Sequence, residues 1–255
     1  MLVSSWNVNS VRARLPLITG WLEKTQPDVL LLQEIKCQTE DFPALNFEAL
    51  GYKTYVSGQK SYNGVAILSK KTAKDIITSL PDDDAAQARY IEATIEGVRI
   101  ASIYAPNGNP LGTEKYDYKI DWMKKLKNHI KNLLSQEKPF ILGGDYNVIS
   151  TEKDVYDPKG WEKDALFSPQ TRELWHEILH LGVTEAFRAL HPEEIAYTFW
   201  DYQGGAWPRN LGLRIDHFLL SPESTDRLES CTIDSTPRAQ EKASDHTPIL
   251  VSLKS

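Results

Sequence analysis

Short apolar runs and longer amphipathic segments alternate along the whole chain. The runs at 2–6, 28–33 and 140–142 predict buried strands, and five runs between 52 and 104 predict adjacent antiparallel strands. Further strands are predicted at 197–200, 213–220, 228–234 and 249–253. Helical spacing of apolar residues predicts helices over 11–24, 114–136 and 168–181. No linker-like stretch or internal repeat interrupts this pattern, which therefore predicts one α/β domain spanning residues 1–255.

The segment from Pro139 to Ile149, with the sequence PFILGGDYNVI, predicts a buried strand that ends in a polar turn. Asp145 and Asn147 follow this strand, and alternation along an extended chain directs both side chains to one side. A carboxylate beside a carboxamide can activate a water molecule and bind an oxyanion. The alternative interpretation is an Asx-type turn, in which Asp, Asn and Gly are simply favourable turn residues.

Polar side chains recur at the ends of other predicted strands. Each of them fits an ordinary solvated loop, but active sites of layered α/β proteins form where strand ends converge. We therefore expect a single site to which Asp145 and Asn147 are joined by Asn7, Glu34, Tyr104, Asp216, Asp245 and His246.

Two Asp-His dipeptides, at 216–217 and 245–246, compete to supply the imidazole of this site. Neighbouring side chains of a strand point to opposite faces, so only one of Asp216 and His217 can enter the site. The second dipeptide lies in a predicted turn, where this restriction relaxes. We expect His246 to be the functional imidazole and Asp216 to orient it and fix its tautomer.

Composition restricts the classes of partner and compartment. A net charge of −6 excludes a whole-molecule electrostatic argument for nucleic-acid binding, so a polyanion would need a local basic face. Two cysteines, Cys37 and Cys231, are too few for a disulfide framework or a cysteine-rich zinc site, and they fit a reducing cytosol. No apolar run is long enough to span a bilayer and no secretory signal pattern is seen. The sequence thus predicts a cytoplasmic protein without membrane contact.

The longest predicted helix, 114–136, carries an apolar stripe of Trp122, Leu126, Ile130 and Leu133. Six lysines of this helix, Lys119 among them, are interpreted as the opposite, solvated face. A DNA-facing role for these lysines is the alternative.

The chemistry of the expected site favours a hard divalent cation. The motifs G-x-S-x-G, H-E-x-x-H and G-x-x-x-x-G-K-[ST] are absent from the sequence, so serine-hydrolase, zincin and P-loop mechanisms have no anchor. Oxygen ligands dominate, which favours Mg²⁺, with Mn²⁺ able to substitute. Such an ion beside a water-activating carboxylate and an imidazole is suited to hydrolysing a phosphate ester.

Seven short motifs resemble, in order and over nearly the whole chain, the exonuclease III family of abasic-site endonucleases. They are WNVNSVRAR, LLQEIK, YNGVAILSK, SIYAPNG, GGDYN, GLRID and SDHTP. That family belongs to the DNase I-like superfamily. The resemblance therefore implies a four-layer α/β sandwich, with two mostly antiparallel sheets packed face to face and helices outside.

The resemblance also implies a catalytic role for each matching residue. Glu34 would hold the Mg²⁺ ion, and Asp145 would align or deprotonate the attacking water. Phosphate contacts would come from Tyr104, Asn147 and His246, with Asp216 bracing His246. The residues that would bind or orient the metal are, besides Glu34, Asn7, Asp145, Asn147, Asp245 and His246.

DNA-binding residues are implied in two groups. Lys36, Asn107 and Arg214 would place the DNA backbone. An apolar pocket for a flipped-out sugar that lacks its base would be formed by Phe199, Trp200, Leu213 and Ile215, and such a pocket selects damage by steric fit. An ordinary core position is the alternative for these four residues.

The implied activity is Mg²⁺-dependent cleavage of DNA 5′ to an abasic site, leaving a 3′-hydroxyl, together with 3′-to-5′ exonuclease action and removal of blocked 3′ ends. The partner would be double-stranded DNA bound by a monomer, nucleoid-associated in a bacterium. Two alternatives are a superfamily phosphatase acting on an inositol or lipid phosphate and a non-catalytic DNA-binding module.

The sequence departs from the family pattern at two positions, because some relatives have Trp at the position of Leu213 and an acidic residue at that of Asn9. The first makes the pocket less aromatic, and the second leaves the number of metal ions open.

Overall fold

Two six-stranded sheets form the centre of the molecule in a computed structural model that describes residues 1–254. In chain order the strands are β1 (Leu2–Asn7), β2 (Val29–Gln33), β3 (Lys53–Ser57), β4 (Val65–Ser69), β5 (Lys74–Ile77), β6 (Tyr90–Ile95), β7 (Val98–Tyr104), β8 (Phe140–Asp145), β9 (Thr184–Glu185), β10 (Asp216–Leu220), β11 (Leu228–Ile233) and β12 (Ile249–Leu253). The first sheet has the order β11-β12-β1-β2-β4-β3, and the second has the order β5-β6-β7-β8-β10-β9.

Each sheet is antiparallel apart from one central parallel pair. These pairs are β1 with β2 and β7 with β8, and all other neighbours run antiparallel. The carboxyl ends of the paired parallel strands meet at one edge of their sheet. The prediction of two mostly antiparallel sheets is confirmed.

Helices cover the outer faces of both sheets. They are α1 (Leu15–Thr25), α2 (Ala44–Glu48), α3 (Glu114–Leu134), α4 (Pro158–Trp161), α5 (Pro169–Leu179), α6 (Ala186–Leu190) and α7 (Pro222–Thr225), with short 3₁₀ helices at Thr39–Asp41, Glu152–Asp154 and Thr236–Ala239. The apolar sides of α1 and α2 pack with outward residues of the first sheet, while α3 and α5 pack on the second. The result is the predicted four-layer sandwich.

The core between the sheets is built from small and β-branched residues that face each other across β1, β2, β4 and their partners β6, β7 and β8. Gly143 on β8 shows how tightly this layer packs. A Cβ atom at Gly143 would lie 2.3 Å from Cε1 of Phe218 and 2.8 Å from Cδ1 of Leu31. The glycine therefore lets an aromatic ring pack directly on the strand that leads to Asp145.

One predicted strand is missing from the structure, and another is shorter than predicted. Residues 197–200 form no regular strand, and Phe199 only bridges to Leu213 and His246. The strand predicted from residue 213 begins at Asp216. Residues 213–215 lie outside the sheet, and Leu213 and Ile215 line a cavity beside the strand ends. No helix among residues 1–254 combines the length and apolar character needed to cross a membrane.

Candidate active site

The two central parallel pairs end at the same rim of the sandwich and deliver most of the expected site residues. Asn7, the last residue of β1, pairs with Gln33 at the end of β2, so Glu34 follows directly. Across the sandwich, Tyr104 at the end of β7 pairs with Asp145 at the end of β8. Asp145 is also paired with Asp216, the first residue of β10. Both sheets therefore contribute to one site.

Ligand atoms of Glu34, Asp145 and His246 all lie within 4.8 Å of one another. Asn7 connects the two carboxylates, because its Nδ2 donates to Oε1 of Glu34 at 2.9 Å and to Oδ2 of Asp145 at 2.9 Å. Asp245 lines the same cavity, and its Oδ1 accepts a hydrogen bond from Nδ2 of Asn9 at 3.1 Å. This concentration of carboxylate oxygens fits a divalent cation.

His246 is fixed between two carboxylates. Its Nδ1 lies 2.8 Å from Oδ2 of Asp216, and its Nε2 lies 3.7 Å from Oδ2 of Asp145. The ring of Phe199 packs edge-on against the imidazole, with 5.0 Å between ring centroids. The imidazole thus has one orientation, with Nε2 facing the interior of the site. The other dipeptide histidine, His217, points away, as strand alternation requires.

Burial and the excess of negative charge raise several pKa values at the site. Burial, aided by the carboxylates of Asp216 and Glu34, raises the pKa of Asp145 to about 7 against the opposing effects of His246 and Asn7. Burial lowers the pKa of His246, but the carboxylates of Asp216 and Asp145 outweigh it and raise that pKa to about 10. The same negative excess that retains protons also attracts a metal ion.

Glu34 and Tyr104 keep opposite protonation states. Burial raises the pKa of Glu34, but hydrogen bonds from Asn7 and Lys36 lower it below its ordinary value, so this group is a carboxylate at neutral pH. Burial and the charges of Glu34 and Asp145 raise the pKa of Tyr104 well above its ordinary value. Tyr104 therefore remains a phenol that can donate a hydrogen bond.

Asn147 reaches the site by a turn and not by strand alternation, which corrects the prediction of an extended segment. The strand ends at Asp145, and Asn147 has the left-handed φ of 49°. Its backbone N–H donates to Oδ1 of Asp145 at 2.9 Å, as in an Asx turn, and its Nδ2 donates to the carbonyl of Ala105 at 2.9 Å. The Asx turn is therefore present, and it brings Asn147 to the same cavity as Asp145.

Left-handed backbone conformations concentrate at this rim. Non-glycine residues with positive φ include Asn9 at 44°, Glu34 at 50° and Lys36 at 53°, besides Asn147. Each such residue costs on the order of 1 kcal/mol and persists only where the surrounding structure imposes it. Strain at four positions around one carboxylate cluster is characteristic of a functional site.

A cavity of about 280 Å³ opens beside the carboxylates. Its apolar wall contains three of the four predicted pocket residues, namely Phe199, Leu213 and Ile215. Trp200 does not line it. Trp200 packs against Trp207 on the far side of its loop, and its Nε1 donates to Asn210, so the prediction for Trp200 is wrong.

Sequence reasoning missed part of the cavity wall. Trp161 and Leu166 complete its apolar side, and Asn109 and Asp164 line its polar side. Asn109 joins the two loops, since its Nδ2 donates to Asp164 at 3.1 Å and its Oδ1 accepts from the N–H of Ala165 at 2.9 Å. The loop of residues 155–167 carries no periodic pattern that would have placed it here.

The prediction that Arg214 places the DNA backbone is also wrong. Arg214 is 0% exposed, and its guanidinium donates to Asp154 at 2.8 Å and to Glu185 at 2.9 Å. Burial raises the pKa of Glu185, but Arg214 and His217 outweigh it and lower that pKa to about 2. Arg214 therefore belongs to an internal ion-pair network behind Leu213 and Ile215.

The other two residues expected to contact the DNA backbone lie at the rim. Lys36 Nζ is 2.8 Å from Oε2 of Glu34 and donates to Oδ1 of Asn9 at 2.6 Å. Asn107 is exposed, lines the cavity, and donates through Nδ2 to Oδ1 of Asn147 at 3.3 Å. Both are placed where a substrate phosphate could reach them.

The assignment of Lys119 to the solvated face of α3 is wrong. Lys119 is fully buried beside Tyr116, Ile120 and Met123, and its position on α3 puts it on the same stripe as these residues. Its Nζ donates to the carbonyls of Pro106 and Asn147, and burial lowers the pKa of Lys119 to about 7.

Comparison with known proteins places the chain in a family. A sequence model described as the Endonuclease/Exonuclease/phosphatase family matches residues 4–246. Exodeoxyribonuclease III of Haemophilus influenzae is 33% identical to this chain over 263 residues, and the match covers 98% of each of the two chains. The structure of an AP endonuclease from Archaeoglobus fulgidus superposes on this chain with a TM-score of 0.96 at 35% sequence identity. The structure of a 3′ phosphatase from Neisseria, bound to a product DNA hairpin, superposes with a TM-score of 0.96 at 38% sequence identity. Both structures and this chain match over 100% of their lengths. This chain therefore belongs to the Endonuclease/Exonuclease/phosphatase family.

Proposed function

We propose that this protein is a Mg²⁺-dependent DNA repair nuclease that hydrolyses the phosphodiester bond 5′ to an abasic site and also removes blocking groups from 3′ ends. The observation that carries the proposal is the close approach of Glu34, Asp145 and His246, within 4.8 Å, beside a partly apolar cavity. Relatives named as an exodeoxyribonuclease, an AP endonuclease and a 3′ phosphatase support DNA as the substrate.

The metal site consists of Glu34 and Asp145, with Asn7 and Asp245 at its margin. Oxygen donors of this kind suit Mg²⁺, and Mn²⁺ would substitute. A bound divalent ion supplies neutralisation of the phosphate charge and polarisation of the phosphorus–oxygen bond. We assign His246 to the phosphate, because its Nδ1 is engaged by Asp216 at 2.8 Å and its Nε2 faces the interior of the site.

Asp145 takes the proton of the attacking water. Its two oxygens are held by Nδ2 of Asn7 and by the N–H of Asn147, so the carboxylate has one orientation. The water oxygen bonds to phosphorus as its proton passes to Asp145, the bond from phosphorus to O3′ breaks, and the departing O3′ takes a proton from solvent to become the 3′-hydroxyl.

Three hydrogen-bond donors stabilise the negative charge on the phosphate oxygens. His246 offers Nε2–H, Tyr104 offers its phenol, and Asn147 offers the second hydrogen of Nδ2, since the first is donated to Ala105. Donors fixed in place before the reaction stabilise developing charge at little reorganisation cost. Phe199, Leu213 and Ile215 accept the sugar, which needs no room for a base at an abasic site.

The site is complete within one chain and takes residues from both sheets and from 7 to 246 along the sequence. We therefore propose that residues 1–255 form one catalytic domain that acts as a monomer. A phosphatase acting on an inositol or lipid phosphate is not favoured, because the named relatives above act in nucleic-acid chemistry.

The test is incubation of the protein and Mg²⁺ with a duplex containing one tetrahydrofuran abasic analogue, and in parallel with a duplex bearing a 3′-phosphate. Incision on the 5′ side of the analogue and release of phosphate are expected, and both should stop in excess chelator. Turnover of an inositol phosphate with neither DNA reaction would disprove the proposal.

A further inference from the structure

Lys119 is a buried charge that the proposed mechanism does not use. It is 0% exposed on α3, among the apolar side chains of the second sheet and its helices. Within residues 1–254, no carboxylate lies within salt-bridge distance of its Nζ. A buried ammonium without an ionic partner is costly and uncommon. Its presence here therefore requires an explanation beyond packing.

The ammonium joins the two loops that follow β7 and β8. Nζ donates to the carbonyl of Pro106 at 3.0 Å and to the carbonyl of Asn147 at 2.6 Å. Pro106 lies between Tyr104 and Asn107, and Asn147 is itself a proposed phosphate donor. A single side chain thus ties together the backbone of both segments that face the phosphate.

The first of these loops is also shaped around the aliphatic stem of Lys119. A Cβ atom at Gly108 would lie 2.5 Å from Cδ of Lys119 and 3.0 Å from its Cβ. Gly108 has a φ of 85°, a conformation that favours glycine. The loop therefore fits against the lysine at its stem as well as at its ammonium.

We propose that Lys119 is a positioning residue that holds Asn147 in its left-handed conformation and so keeps the Asn147 carboxamide directed at the phosphate. This proposal rests on the proposed nuclease function. Besides Oδ1, which accepts from Asn107 at 3.3 Å, three polar groups of Asn147 are fixed internally: the N–H by Asp145, the Nδ2 by Ala105, and the carbonyl oxygen by Lys119. Loss of the third contact frees the peptide unit after Asn147 and loosens the turn that carries its side chain.

The kinetic test is a double-mutant cycle that combines Lys119→Met with Asn147→Ala. Methionine matches the length of the lysine stem and removes every donor. We expect Lys119→Met to lower kcat on the 3′-phosphate duplex by about 10- to 100-fold, the range seen when a partner of a catalytic group is removed, with KM changed less than about threefold. If Lys119 acts through Asn147, the double variant should be no slower than Asn147→Ala alone.

Tyr116→Phe is the matched control for a general loss of packing. Tyr116 is buried on the same face of α3 and its hydroxyl bonds Ser168 at 2.6 Å, away from the site. Its removal should lower the Tm and leave kcat within about twofold of the wild type. All rates are measured well below the Tm of each variant, so unfolding does not contribute.

A second measurement does not depend on turnover. Amide hydrogen exchange of Asn147 reports the N–H bond to Asp145, and we expect exchange at least about 10-fold faster in Lys119→Met and unchanged in Tyr116→Phe. A kcat within twofold of the wild type, full multiplication of the two effects in the double variant, or unchanged exchange at Asn147 would each overturn the proposal. An inactive wild-type protein would instead disprove the proposed function, and the exchange result would still decide the role of Lys119.

Discussion

At the scale of single residues, Asp145 combines a structural cost with a catalytic role. Its folded pKa of about 7 lies above the ordinary value of 3.8, so ionising it destabilises the fold. The cost is absent below pH 3.8, grows as pH rises through about 7, and is complete above that. Asp145→Asn should lower turnover by about 100-fold or more and leave DNA affinity nearly intact.

When no metal is present, the same variant should lack the pH-dependent stability cost that ionised Asp145 imposes on the wild type. The gain in Tm should be larger at pH 8 than at pH 5, and scanning calorimetry in chelator at both pH values measures it. Near-normal turnover would show that another group activates the water, and an equal Tm gain at both pH values would contradict the raised pKa.

Asp216 determines the pH up to which His246 stays protonated. Its carboxylate, 2.8 Å from Nδ1, is the largest of the effects that raise the pKa of His246. In Asp216→Asn that pKa should fall, because burial then acts with less opposition. We expect kcat to fall by about 100-fold and the alkaline limb of the pH–rate profile to move to lower pH. An unchanged alkaline limb, measured from pH 6 to 10, would mean that a different group loses its proton there.

At the scale of elements, the internal network around Arg214 supports the segment before β10 that carries the cavity residues Leu213 and Ile215. Replacing Arg214 by Met leaves Asp154 with only Arg188 and Glu185 with only His217 as charged partners, and breaking a buried ion pair typically costs about 3–5 kcal/mol. Denaturant unfolding should show this loss. Lys127→Met is the control, because its ion pair with Glu177 lies at the surface and should be worth less than about 0.5 kcal/mol. A loss at Arg214 no larger than the control would show that the network is dispensable.

Periodicity predicted the elements whose residues repeat regularly and failed where contacts between loops decide. The strand over 140–145 and the helix starting at Glu114 follow from apolar spacing, and β10 follows from its pairing with β8. Residues 197–200 have strand-forming composition, yet they form no regular strand and Phe199 lines the cavity, because the bridge partners of Phe199, Leu213 and His246, are distant in sequence.

The errors at the site have the same physical origin. Arg214 was assigned to the DNA backbone from the family resemblance, and the carboxylate partners that bury it lie 29 and 60 residues away along the chain. Lys119 looked solvated because charged residues are rarely buried, although Tyr116 and Met123 at helical spacing placed it on the buried stripe. The expected convergence of the carboxylates with His246 is seen, because ligand atoms of Glu34, Asp145 and His246 lie within 4.8 Å of one another, while their chemical roles stay predictions.

At the scale of the whole molecule, the site joins the two sheets. Glu34 follows a strand of the first sheet and Asp145 ends a strand of the second, so a cation bound to both links the halves of the sandwich. Because the unfolded chain lacks this site, Mg²⁺ should stabilise the whole fold, by about 2.7 kcal/mol at 100 times its Kd. For a chain of this size that corresponds to a rise in Tm of roughly 5–10 °C.

Thermal unfolding with Mg²⁺ and with chelator measures this increment, and Glu34→Gln is the variant that tests its source. Glutamine keeps the size of the side chain and removes the charge that the cation needs, so most of the Mg²⁺-dependent rise in Tm should disappear. Asp41→Asn, at an exposed acidic residue of the Thr39–Asp41 turn, is the control and should retain the full rise. If wild type and Glu34→Gln gain equally from Mg²⁺, the stabilising ion binds elsewhere, and the carboxylates at the strand ends do not form the metal site.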